Sequence, residues 1–581
     1  MRLSLGWMGK DLSLASADGR YELVDRDDPR VAEVRPLETV ELVGDATGGV
    51  DDNLLVLGDG ADMMRTLVRL PEYAEHYRAK TKLVYIDPPF NTGQAFEHYD
   101  DGIEHSVWLT MMRDRLVLIR DLLAPDGSVW VHLDDVEMAY CRVLMDEVFG
   151  RSRFVATVIW QKRTSRDNRA AFSPMHDYLL VYSPVGPQRW KDSRNRLPDE
   201  GGYSNPDDDP RGPWRSIPMH VQAGRATANQ FYEITTPTGV VHSPPDGRAW
   251  TYSRPRFEEL VAADRVYWPK GGDSRPRLKR FVDEAEGLVP FTFWPASEVG
   301  ENSSAKTYIQ QMFEDVEPFD TPKPERLLQR IIHIATDPGD IVLDAFAGSG
   351  TTAAVAHKMG RRWVTSEREQ RTVSTFTLPR LQMTVFGHGI NNSGRSMPII
   401  DDLPTGVAPG AAKDAARVIR AFGQAEALDP SCDWEELAGL LAEADRKSTE
   451  ATIEWSGGGG FRVAKLADSI FDVSAGRVYL SPTATNEKFA EGVRAQLGFA
   501  ALDEPPFCGT KGKMRLAVVD GVADDNVIQV LATKADGGPL TVVAKAVTEG
   551  AAELLQELAP GSLLRKAPSG LLRRRVRGVG R

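Results

Sequence analysis

Residues 82–93, KLVYIDPPFNTG, decide how this chain folds. Lys82 to Ile86 are mostly apolar and predict a short buried strand. The two prolines that follow cannot continue its hydrogen-bond ladder. Asp87 therefore emerges at the carboxyl end of a strand, on a stiff turn, with the ring of Phe90 three residues further on. In open α/β sheets that end is where ligands bind. An acidic acceptor, the rigid pair Pro88 and Pro89, and a stacking ring suit the holding of a planar amine. Asp87 and the Pro88 carbonyl can accept both amino hydrogens and leave the nitrogen lone pair free, while Phe90 covers the ring face. A lone D-P-P-F reads equally well as a proline turn at a strand end.

A second stretch, Asp340 to Glu367 (DIVLDAFAGSGTTAAVAHKMGRRWVTSE), weighs against that plainer reading. Ile341 to Leu343 predict a strand leading to Asp344. The turn carrying Phe346, Gly348, Ser349, Gly350, Thr351 and Thr352 follows, then a helix. A further strand, Trp363 to Thr365, ends at Glu367. Glycines at a helix start let backbone approach a ligand, and a carboxylate after the next strand can bind ribose hydroxyls. The G-x-G-x-x-G spacing of dinucleotide sites is absent, and no Gly-Lys-Ser/Thr follows to make a P-loop. Together the two loops serve a nucleoside-bearing cofactor and an amine acceptor.

With both loops in hand, the chain resembles DNA adenine-N6 methyltransferases of the β order, in which D-P-P-F/Y precedes the cofactor motif. More narrowly, it resembles the modification (Mod) subunits of type III restriction–modification systems. The resemblance runs through LSLGWMGKD, LLVLGDG, DPPFNTGQAFEHYDDGIEHSVWL, MRDRLVLIRDLLAPDGSVWVHLDD, VIWQK, HDYLLVYS, YSNPDDDPRGPWRS, TPKPERLLQRI, GSGTTAAVAHKMGRRW and SGGGGFR. It implies a doubly wound, Rossmann-like α/β core that uses S-adenosyl-L-methionine. It implies double-stranded DNA as substrate, a homodimer, and a separate helicase–nuclease (Res) partner. It also makes Lys323 a candidate for the methionine carboxylate. Asp59, ending the strand Leu54 to Leu57, either touches the cofactor's adenosine or caps the next helix.

Composition is that of an ordinary globular protein, with 41% hydrophobic and 26% charged residues, and 581 residues allow several domains. No apolar run is long enough to span a bilayer, and no signal peptide is visible. Cys141, Cys432 and Cys508 are scattered, which suggests neither a disulfide framework nor a metal cluster, and a reducing, cytoplasmic compartment fits. The net charge of −13 does not advertise DNA binding, so positive charge must be concentrated locally. Arg151 to Arg169 and Arg275 to Arg280 are the stretches that qualify.

Taken in order, residues 1–50 form an extension packed on the core, and 51–184 the catalytic half. In that half, Leu109, Met112, Leu116, Ile119 and Leu123 make one helical face. Pro125-Asp126-Gly127 predicts a turn, Val129 to Leu133 a strand, and Val136 to Phe149 a helix. His132 alternates with Trp130 along its strand and reads as structural. Residues 185–320 are richer in Gly, Pro and Trp and read as a target-recognition insertion. Within them NPDDDPRGPW predicts a rigid turn rather than a metal site. SPPD (243–246) and, further on, EPPF (504–507) are decoys of the amine motif. Residues 321–395 form the cofactor half, 396–455 a linker and helical segment, and 456–581 a smaller α/β unit for docking or dimerisation. That unit has strand-like runs at Leu516 to Val519, Val527 to Leu531 and Leu540 to Ala544.

Cytosine-ring methylation would need a cysteine nucleophile after proline, and no Pro-Cys occurs. An exocyclic amine is the better target, with adenine favoured over cytosine because Asp opens the motif. A solitary methylase, a cytosine-amine methylase and a DNA-binding specificity module of a defence complex stand as alternatives.

Overall fold

The computed structural model describes residues 3–17, 20–91, 104–199, 201–313, 316–317, 319–387, 455, 457–474 and 476–572. The expected linker at Pro404 to Gly410, the helix at Trp434 to Ala444 and the arginine-rich tail from Arg573 lie outside these residues. One compact unit comprises residues 1–195 with 291–581, and a second comprises Arg196–Pro290.

The first unit is organised by a ten-stranded sheet. In chain order its strands are β1 (Leu37–Gly44), β2 (Asn53–Leu57), β3 (Thr81–Ile86), β4 (Leu123–Leu133) and β5 (Phe154–Gln161). They continue with β6 (His176–Tyr182), β7 (Phe293–Trp294), β8 (Ile341–Asp344), β9 (Arg362–Glu367) and β10 (Gly460–Leu466). Their spatial order is β7-β5-β6-β4-β3-β8-β9-β2-β10-β1. From β4 through β3, β8, β9 and β2 to β10 every neighbouring pair is parallel. The β4–β6, β5–β6 and β10–β1 pairs are antiparallel. This is the doubly wound α/β class with antiparallel margins.

The central strands are buried on both faces, as parallel strands must be. Val84 and Ile86 of β3 join Met63, Met64, Trp108, Leu109, Met112, Leu116 and Ile119 in one apolar cluster. Those partners come from helices α1 (Gly60–Arg69) and α2 (His105–Leu122). Leu83 and Tyr85 point to the opposite face and are equally buried. The chain leaves β3 for β4 on one side, whereas β8 leads to β9 on the other. The gap above β3 and β8 is therefore a topological switch point, where such sheets leave a crevice.

Several local expectations need correcting. Pro125 to Gly127 is not a turn between elements but a bulge inside β4, where pairing with β3 jumps from Thr81↔Leu123 to Leu83↔Ser128. Val527 to Leu531 is helical, within Asp525–Lys534, because Asp524 caps the Val527 amide at 2.9 Å and Ile528, Leu531 and Ala532 share one buried side. Leu516 to Val519 and Leu540 to Ala544 do lie in strands, which pair in parallel within a five-stranded sheet. Gly460–Leu466 does not belong to that sheet; it sits in the catalytic one, between β2 and β1.

The separate unit, Arg196–Pro290, is shorter than the stretch whose composition marks it. Pro187–Ser193 forms a helix whose Trp190 packs on Trp130 of β4, with ring centroids 6.3 Å apart, and Phe293–Trp294 pairs with β5. Inside the unit a three-stranded sheet holds Arg277–Phe281, and two acids of NPDDDPRGPW, Asp207 and Asp209, are bound by side chains. Asp209 binds Arg211 and Lys279, while Asp207 receives the Trp214 indole N–H at 2.7 Å. Lys279, part of a candidate DNA-binding stretch, is thereby spent internally. Among the described residues no helix is long and apolar enough to cross a membrane.

Candidate active site

The strand β3 delivers Asp87 onto a turn held from below. Trp108 of α2, fully buried, donates its indole N–H to the Pro89 carbonyl at 2.7 Å. Asn91 takes a left-handed backbone (φ 61°), and its side-chain amide donates to Glu137 Oε1 at 2.7 Å. The same oxygen lies 2.9 Å from His105 Nδ1 at the start of α2. Glu137 is 1% exposed, so one buried carboxylate pins the motif's trailing edge to a helix. His132, also buried, bonds to the Tyr85 hydroxyl at 2.9 Å and lies 5.7 Å from the Phe90 ring, consistent with a supporting role.

Next to β3, the parallel strand β8 ends at Asp344, and the F-A-G-S-G-T-T turn leads into helix α3 (Thr351–Lys358). Asp344 Oδ1 accepts the Phe346 amide at 2.9 Å, and Thr352 also bonds to this carboxyl. Burial pushes its pKa up to about 8, with the negative charges of Asp87 and Glu367 acting in the same direction. Gly348 (φ 50°) donates its amide to Glu367 Oε2 at 2.9 Å, and a Cβ there would meet the Phe319 ring at 3.2 Å. Gly350, at φ 77°, faces Thr377 instead. Behind the turn, buried Arg380 bridges Thr351 Oγ1 at 2.8 Å and Glu325 at 2.9 Å.

Of the two readings of Asp59, the structure shows the helix cap. It caps α1 by accepting the Ala61 amide at 2.7 Å, and it also lines the cavity between the two strand ends. Burial alone would raise its pKa, but Arg115, whose guanidinium lies at 2.6 Å, and the Ala61 amide hold it below the usual range. Lys323 meets the amine motif. Its ammonium lies 2.5 Å from Asp87 Oδ2 and 5.3 Å from the Phe90 ring centre. Asp87 Oδ1 is buried and has no hydrogen-bond partner among the described residues.

These groups surround one cavity of about 900 Å³. Asp59, Asp87, Pro88, Pro89, Phe90, Lys323, Asp344, Phe346, Gly348, Ser349, Thr351, Thr352 and Glu367 all line it; of the residues singled out from sequence only Gly350 does not. Neither decoy contributes. Sequence reasoning missed Arg115, which stacks over Phe346 at 5.3 Å, and Tyr21, which comes from the N-terminal extension and lies 3.5 Å from Arg368. Arg115 had a faint signal, since it falls beside the apolar stripe of α2; Tyr21 had none.

Residues 81–377 match the DNA methylase family. Among curated proteins, the type III restriction–modification enzyme StyLTI Mod subunit of Salmonella typhimurium is 33% identical over 332 residues, 52% of this chain and 49% of that protein. The probable type III enzyme HindVI Mod subunit of Haemophilus influenzae is 26% identical over 405 residues, 60% of this chain and 52% of its own. The type II methyltransferase M1.MboII of Moraxella bovis is 45% identical over 308 residues, 52% of this chain and 90% of its own. The chain spans about half the length of the two Mod subunits.

Proposed function

Since the chain belongs to the DNA methylase family, we propose that it methylates the exocyclic amine of adenine within a specific sequence of double-stranded DNA. In this reading S-adenosyl-L-methionine is the donor and the chain is the modification subunit of a type III restriction–modification system. The observation that carries the chemistry is Asp87 Oδ1, a buried acceptor without a partner among the described residues, on a side chain that lines the same cavity as the glycine turn. A buried acceptor left unmet is costly, and a donor on a ligand in the cavity would meet it.

The cavity fits the cofactor. The left-handed backbone at Gly348 keeps the turn flush, Glu367 and Asp59 offer carboxylates for hydroxyl and amino groups, and the volume suits a nucleoside beside a base. S-adenosylmethionine supplies an electrophilic methyl group when bound. The protein's work is orientation. Asp87 Oδ1 and the Pro88 carbonyl accept the two amino hydrogens, so the nitrogen lone pair points where in-line attack needs it. Phe90 stacks on the ring of a base extruded from the duplex, because a paired adenine cannot present its amine in this way.

The type III assignment rests on the names of the Mod relatives; the Res partner and the homodimer are what the resemblance to Mod subunits implies. Target recognition is assigned to the unit Arg196–Pro290, which carries no group of the cavity. Exchanging that unit for a relative's should change the methylated sequence; an unchanged sequence would place recognition elsewhere. The chemistry is tested by incubating the chain with S-adenosylmethionine and duplex DNA, then analysing the nucleosides. N6-methyladenine supports the reading, N4-methylcytosine moves it to the cytosine amine, and neither product refutes it.

A further inference from the structure

The hairpin loop between β5 and β6 borders the cavity through Lys162, Arg163, Ser165, Asp167, Ala170 and Pro174. It is a bonded structure. Its base is closed by the Lys162 amide on the Met175 carbonyl at 2.9 Å. Across its tip the Asp167 amide donates to Ser173 Oγ at 2.8 Å, and Asp167 Oδ1 accepts the Arg169 amide at 3.0 Å. One flank is tied down by Thr164, whose hydroxyl donates to Glu301 at 2.9 Å. On this tip Phe172 is 92% exposed, the most exposed large hydrophobic side chain among the described residues.

A single exposed aromatic is ordinary on a protein surface. What sets this one apart is its surroundings. Arg163, Arg166 and Arg169 stand within the loop; Arg169 pairs with Asp167 at 3.2 Å and Lys162, at the base, with Asp177 at 2.6 Å, which leaves the loop net positive in a chain whose net charge is −13. The ring lies two residues from Ala170 and from Pro174, both on the cavity wall. An apolar ring held out in water, on an arginine-bearing loop that borders a concave site, is complementary to a stack of bases between phosphates.

We propose that Phe172 is the wedge that enters the DNA duplex at the step vacated by the target base, with Arg166 and Arg169 on the flanking phosphates. The proposal rests on the DNA-amine methylation reading above. Extrusion breaks stacking on both sides of the departing base, and an inserted ring restores part of it and blocks the base's return. Phe172 thus acts on the extrusion step and is a positioning residue, since it touches neither cofactor nor amine.

The test compares single-turnover methyl transfer on two duplexes, one with the target base paired and one with it opposite a mismatch, where extrusion is cheap. On the paired duplex Phe172→Ala should lose about ten- to a hundredfold in rate. On the mismatched duplex it should recover most of that loss. Phe172→Trp, which keeps a stacking ring, should retain most activity on both, and cofactor binding should be unchanged throughout. Phe172→Ala at the wild-type rate on the paired duplex would overturn the wedge alone. So would an equal loss on both duplexes, which would mark a general structural or phosphate-contact role. A wild-type chain that methylates neither duplex would overturn the function reading and the wedge with it.

Discussion

Strands β3 and β8 lie side by side, run in parallel and end at one cavity in an aspartate, yet the two ends offer opposite things. At β3 the side chain is what is offered. Asp87 faces the Lys323 ammonium with one oxygen and leaves the other without a partner among the described residues, while prolines and Trp108 fix the backbone. At β8 the side chain is consumed. Asp344 is 3% exposed, bonded to Phe346 and Thr352, and burial pushes its pKa up to about 8, which favours the uncharged acid. Beside it the glycine turn lines the cavity. The same residue type at adjacent strand ends becomes a presented acceptor or an internal tether according to its neighbours. In the proposed reading the β3 end orients the acceptor and the β8 end binds the cofactor.

The largest expected effect is at the β3 end. Asp87→Ala should cut methyl transfer by about a hundredfold or more in a tritiated-methyl assay, because misorienting a nucleophile forfeits in-line geometry. Asp87→Asn, which keeps one carbonyl acceptor, should fall between. A normal rate in the Ala variant would remove Asp87 from the chemistry. Next comes Gly348→Asp. A side chain at φ 50° meeting Phe319 at 3.2 Å carries strain and fills the ligand's approach. Calorimetry should show cofactor affinity lower by about tenfold or more, the effect of at least ~1.4 kcal/mol. If turnover fell while affinity held, the division between the ends would collapse.

Apart from these rates and affinities stands a stability effect, the pH signature of Asp344. Its folded pKa, about 8, exceeds the unfolded value of roughly 3.9. The unfolded chain therefore ionises first, and the acid's contribution to stability, fully present below about pH 4, is lost as pH rises toward 8. Asp344→Asn cannot ionise and its amide oxygen can still accept the Phe346 N–H. Its melting temperature should gain on the wild type progressively between pH 5 and pH 8. A constant difference across that range would mean that Asp344 is already charged.

Both strand ends were legible in sequence because proline and glycine interrupt hydrophobic periodicity where the chain must turn, and only particular side chains tolerate those turns. What was not legible came from chain distance or competing signals. Gly460–Leu466 joins β2 across some four hundred residues of chain, and a short apolar strand carries no mark of its partner. Val527 to Leu531 is rich in β-branched residues and reads as strand, yet the Asp524 cap prevails. The Lys323–Asp87 pair joins two motifs that sequence assigns to different ligands, and only proximity shows that they meet.

The division between the two ends is tested most directly by calorimetric titration of the Asp87→Ala protein with S-adenosylmethionine. With methyl transfer lost, the account predicts that the cofactor still binds with wild-type affinity, because the β8 turn and Glu367 are untouched. Affinity lost together with activity, in a variant that melts like the wild type, would contradict it and make Asp87 part of the cofactor site.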